Sequence, residues 1–161
     1  MKELYISILW HMHQPNYRDP IRGFYSMPWV RLHASKAYYD MAVLADRYQE
    51  MHLTFNLVPS LLEQLEDYAE GAEDYELMLS KMNPVDLSAE EKEAILTRFF
   101  QAHYETMINP LPRYMELLQY RGIHGTRRDI DSALRKFAAQ DFLDLQVLFN
   151  LSWFGFVART E

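Results

Sequence analysis

The chain contains no cysteine, which excludes disulfides and thiolate metal sites and leaves His, Asp and Glu as the strong ligands available to a metal. It also has no surplus of positive charge. Sixteen Lys and Arg stand against twenty-three Asp and Glu, a net charge of -7, and no basic stripe runs beside the aromatics, so nucleic acid is not an expected partner. Long apolar runs are missing as well. No segment approaches the roughly 20 apolar residues of a membrane-spanning helix, and no membrane crossing is expected. The apolar run at residues 4–10 is too short for a secretory signal and carries no small-residue cleavage site, so a cytoplasmic location is expected. There is no internal repeat, low-complexity tract or clear linker. What is present is 161 residues, 49% of them hydrophobic and 14% aromatic, enough to bury a sizeable core in a globular fold.

Residues 4–10 are rich in β-branched and aromatic types with apolar residues on both parities, the pattern of a parallel strand covered on both faces. Residues 13–28 hold Pro15, Pro20, Gly23 and Pro28 with Asn16 and Asp19, a breaker density that predicts a long ordered loop, and such loops are often functional. Leu32, Ala37, Tyr39, Met41, Val43 and Leu44 repeat at helical spacing opposite Lys36, Asp40, Asp46 and Arg47, which predicts a helix over 32–48. A second short strand is expected over 51–57, completing one βαβ unit.

Beyond Pro59 the pattern turns helical, over 61–68 and 75–79. Ser88 and Glu91 have capping-box spacing, predicting a helix from there to about Met107 that Asn109-Pro110-Leu111-Pro112 ends. Helices follow over 112–120, closed by Gly122, then 129–137 and 141–149. The expected organisation is α/β: residues 1–66 form the βαβ start, and 67–161 a mainly helical insertion. Phe99, Phe100 and Tyr104 are expected in the core, with Trp153, Phe154 and Phe156 in core or interdomain packing.

The most informative residues are Trp10-His11-Met12-His13-Gln14-Pro15. A strand delivers two histidines at i and i+2 into a Pro-rich loop, so both imidazoles share one face. In parallel α/β sheets the ligand crevice lies beyond the carboxyl ends of the strands, where this motif falls. Two readings are open from the residues alone: histidines that finish a strand and satisfy loop carbonyls, and a metal site of the amidohydrolase or deacetylase kind, which also opens with His-X-His after a first strand.

Three stretches together carry a resemblance: His11-Met12-His13-Gln14-Pro15, Met27-Pro28-Trp29-Val30-Arg31-Leu32-His33-Ala34, and Phe55-Asn56-Leu57-Val58-Pro59-Ser60-Leu61-Leu62-Glu63-Gln64-Leu65. In order and spacing they are similar to family 57 glycoside hydrolases, with His13-Gln14-Pro15 matching that family's first conserved region. The likeness extends weakly to Leu148-Phe149-Asn150-Leu151-Ser152-Trp153-Phe154. The resemblance implies the first βαβ portion of an incomplete (β/α)7 barrel that acts on α-glucans or maltooligosaccharides by retaining chemistry as hydrolase or 4-α-glucanotransferase, with no metal or cofactor. It implies that His13 and His11 line the subsite of the sugar whose bond is cut, with Gln14 adding an amide contact. Trp29 offers a ring that could stack on a sugar or plug a loop. Arg31, His33 and Asn56 have equally good structural explanations, and Ser60 is expected to cap a helix.

Retaining glycosidases need two carboxyl groups about 5 to 5.5 Å apart. The acidic residues here, among them Glu63, Glu66, Asp67, Asp74, Glu90 and Glu91, fall on expected helix surfaces rather than at strand ends, so no catalytic residue is assigned within the chain. The nucleophile and acid are expected on a carboxy-terminal part of the same enzyme. Two strands leave an open parallel edge, so association with that part, self-association or close shielding by the helical insertion is expected. A carbohydrate-binding module without catalysis is the non-enzymatic alternative.

Overall fold

A computed structural model describes residues 4–160. It is an α/β chain whose described residues hold two parallel strands among mostly helical elements. Contacts divide it into two compact units: the residues up to Glu73 together with those from Gly155 onward, and Asp74–Phe154.

In the first unit, β1 (Leu9–Met12) leads through the loop to α1 (Trp29–His33), a π-helical turn (Ala34–Tyr38), α2 (Tyr39–Arg47) and β2 (Thr54–Leu57). The strands pair in parallel register, Leu9 with Thr54, Trp10 with Phe55, His11 with Asn56 and Met12 with Leu57. Parallel neighbours need such a crossover, and the helical segment supplies it. The ladder lies later than the sequence pattern predicts, because pairing runs only where Thr54–Leu57 provides partners. Leu4, Tyr5 and Ile6 are exposed. Within this chain the helices cover one face of the strand pair. Met12 is buried in a core with Val30 and Leu61, against which Tyr38, Met41, Phe55 and Leu65 pack. Leu9, on the opposite face, is 59% exposed.

The helix expected over 32–48 begins instead at Trp29 and passes through the π turn, which inserts an extra residue and resets the helical face. After β2, α3 (Pro59–Ala69) starts with Pro59 in its first turn and Val58 as N-cap, the position where proline's missing N–H costs nothing. Ser60 therefore does not cap this helix as expected. The last element, α9 (Phe156–Thr160), belongs to this unit. Asp40 of α2 accepts hydrogen bonds from the amides of Phe156 (3.0 Å) and Val157 (3.2 Å), satisfying two of the donors that a helix start leaves free. A Cβ at Gly155 would fall 2.2 Å from the Asp40 carboxylate, so this close approach requires glycine. Phe156 is exposed and is not the packing residue the sequence suggests.

The second unit holds α4 (Tyr75–Lys81), α5 (Ala89–Arg98), a π turn (Tyr104–Ile108), α6 (Pro112–Arg121), α7 (Arg127–Lys136) and α8 (Ala139–Ser152). Its core is aromatic: Phe99, Tyr114, Phe142 and Phe149 are fully buried, with Phe99 and Phe149 stacked at 4.5 Å. The capping box of Ser88 and Glu91 is formed, and Gly122 closes α6 at φ 103°. The helix expected to reach Met107 stops at Arg98. The Tyr114 hydroxyl takes the carbonyl of Phe99, while the His103 side chain caps the next turn, so the chain bends where both loose ends are satisfied. Tyr104 is consequently exposed, as is Phe154, whereas Phe100 and Trp153 are buried as expected. Asp74 is not on a helix surface but buried, accepting from the Leu77 amide as N-cap of α4. Buried Gln146 donates to the carbonyls of Leu79 (2.7 Å) and Met82 (3.0 Å) and so closes the other end of α4. Among the described residues, no helix is long and apolar enough to cross a membrane.

Candidate functional site

Alternation along β1 separates two kinds of surface. Met12 and Trp10 turn toward the helices, where Met12, Tyr38, Ala42, Phe55, Leu61 and Leu65 are among the residues lining an apolar cleft of 330 Å³. His11 and the following His13 turn the other way. Their rings lie 5.9 Å apart and nearly parallel, 9° between planes, and both residues are exposed. Asn56 stands in register with His11 on the neighbouring strand and therefore shares its face; it too is exposed. Two imidazoles and an amide thus form a row of donors and acceptors at the carboxyl end of the strand pair.

Gln14 occupies a different environment. Its side-chain oxygen accepts from the Tyr17 hydroxyl (2.9 Å), and its amide nitrogen donates to the Tyr38 hydroxyl (3.3 Å). Burial raises the Tyr17 phenol above its ordinary pKa, with the neighbouring Tyr38 adding to the shift. The loop backbone is held from α3. The Ser60 hydroxyl donates to the Gln14 carbonyl (2.8 Å). Gln64, wholly buried, accepts from the Tyr17 amide (3.0 Å) and donates to the carbonyls of Pro15 (2.9 Å) and Ser60 (2.6 Å).

Trp29 is half-buried at the start of α1. Its ring is tilted against His33 at 6.5 Å, and His33 against Tyr38 at 6.1 Å, so Trp29 joins the loop through His33 and Tyr38. Burial, reinforced by the charge of Lys36, lowers the His33 pKa. Further along the loop the Asp67 carboxylate accepts from the Tyr25 hydroxyl (2.6 Å) and pairs with Arg18 (3.4 Å), and Asp19 caps the turn by accepting from the amides of Ile21 and Arg22. Those amides hold the Asp19 carboxyl below its usual pKa.

The pairing of the two imidazoles is visible in the sequence as His-X-His. The clamp from Ser60 and Gln64 is not predicted there, although it leaves a trace. Leu61, Gln64 and Tyr68 recur at helical spacing on the face that meets the core, and a glutamine in an apolar stripe signals a backbone in need of partners.

Among the described residues, no group of three or more His, Asp or Glu is arranged to hold a metal ion. Comparison with curated proteins and with solved structures gave no match. The sequence profile of glycosyl hydrolase family 57 matches residues 7–160, which takes in the histidine loop, both strands and the helices of both units. With that match spanning nearly the whole described chain, the protein belongs to glycosyl hydrolase family 57.

Proposed function

We propose that this chain is the amino-terminal portion of a retaining α-glucan hydrolase or 4-α-glucanotransferase, and that His11 and His13 bind the sugar whose glycosidic bond is cut. The observation that carries the reading is the exposed, parallel pair of imidazoles on the strand face that the helices leave free. A neutral imidazole offers one donor and one acceptor, which suits vicinal sugar hydroxyls. A row of such groups can also follow the charge that develops on the ring in the oxocarbenium-like transition state. Asn56, in register with His11, extends that row. Gln14, occupied at both ends of its amide, serves the loop more than the sugar, and Trp29 pins the start of the helix.

The two carboxyl groups of the reaction are assigned to a segment outside this sequence, and that segment completes a (β/α)7 barrel over the free strand face. Asp19, Asp40 and Asp67 are committed to a turn, a helix start and a tyrosine. On this reading the chain binds α-glucan without cleaving it. The test is calorimetric titration of the chain with maltooligosaccharide, beside His13→Ala. Weak saturable binding that disappears in the variant, with an unchanged melting curve, is the expected result; equal binding by the two proteins would remove the histidines from the sugar site.

A further inference from the structure

We propose that Gln64 is a positioning residue for His13. It holds the backbone that follows the histidine, so that the exposed ring keeps its alignment with His11. The inference rests on the reading of His11 and His13 as sugar contacts, and it adds the part of the molecule that sets their geometry.

His13 sits between two fixed points. Before it, Met12 is buried in the core, and its carbonyl accepts from the Val58 amide at 3.3 Å. After it, the Gln14 carbonyl is held by Ser60, the Pro15 carbonyl by Gln64, and the Tyr17 amide by Gln64 again. These are three points of one short loop tied to one turn of α3. The ring itself is exposed, so packing does little to orient it, and the backbone on either side sets where it points. Both ends of the Gln64 amide are used, because its remaining donor bond goes to Ser60, the residue that holds Gln14. A residue present only to fill the core would need no amide. Leucine or methionine would fill the same space, whereas satisfying two carbonyls and one N–H at once takes a group with both donors and an acceptor. Sites tolerate little looseness in the groups that support their contact residues, which places Gln64 in the binding geometry as well as in the fold.

The experiment compares the wild-type chain with Gln64→Met, which keeps the volume and removes the hydrogen bonds, and with Ser60→Ala, which releases only the Gln14 carbonyl. NMR reads the proton contact between the His11 and His13 rings and the exchange of the Tyr17 amide, and titration reads maltooligosaccharide affinity. The expected result for Gln64→Met is a weakened ring contact, faster Tyr17 exchange and affinity lowered about tenfold, with the amide spectrum of residues 75–152 unchanged. Ser60→Ala should show a smaller change of the same kind in ring contact and affinity. Wild-type ring contact and affinity in Gln64→Met would overturn the proposal. If Gln64→Met does not fold, Ser60→Ala decides by the same two readouts. If the wild-type chain binds no sugar, the ring contact still decides: its loss in the variants supports the positioning role while the sugar reading falls, and its survival overturns both.

Discussion

Leu61 and Gln64 lie one helical turn apart on α3, and both are wholly buried, yet they do different work. Leu61 fills the core with Met12 and Val30. Its truncation to alanine should cost about 2–5 kcal/mol, read from the denaturant midpoint, because a cavity remains beneath the strands. Gln64 binds loop backbone 47 and 49 residues away in sequence. The leucine could be predicted from helical periodicity. The partners of the glutamine could not, since hydrogen bonds to distant carbonyls depend on how the loop returns over the helix. Ser60 shows the same limit. Proximity to a helix start suggests a cap, but Pro59 already occupies the first turn and leaves the hydroxyl free to reach Gln14. The histidines were legible because their relation is local, two residues apart on one strand.

At the scale of elements, local signals held where one end of a helix supplies its own partners. Ser88 with Glu91 forms the expected capping box, whereas the one formed by Thr126 with Asp129 starts α7 at Arg127, two residues before the helix read from the sequence. Ser88→Ala should cost about 1 kcal/mol and speed amide exchange in the first turn of α5. Distant partners defeat the same reasoning. Asp40 lies inside α2 and by pattern belongs to its polar face, yet it caps α9, 116 residues further on. Asp40→Ala should raise exchange at the amides of Phe156 and Val157 and cost about 1 kcal/mol. His33, next to the π turn, gives this unit a pH response. Burial holds its folded pKa below the unfolded value of about 6.5. The unfolded chain therefore binds the proton first as pH falls. Stability from this residue is fully present above that unfolded value and is lost as pH falls toward the lower folded one. A pH series of melting temperatures should show this decline, and His33→Gln should flatten it.

The whole molecule joins a strand pair with one bare face to a separate unit that buries its own aromatic core. The βαβ order and the helical character beyond Pro59 were readable from periodicity. The return of the last helix to the first unit was not, since nothing near Gly155 names Asp40 as its partner. The family match spans both units, and on the proposed reading the sugar meets the face that carries His11, His13 and Asn56. The most direct measurement is a titration of the isotope-labelled chain with maltooligosaccharide, followed through the imidazole signals of His11 and His13 and the side-chain amide of Asn56. The account predicts saturable shifts centred on these three residues, with the signals of the helical core unmoved. Saturation that leaves all three unshifted, or no response at any concentration of sugar, would contradict it.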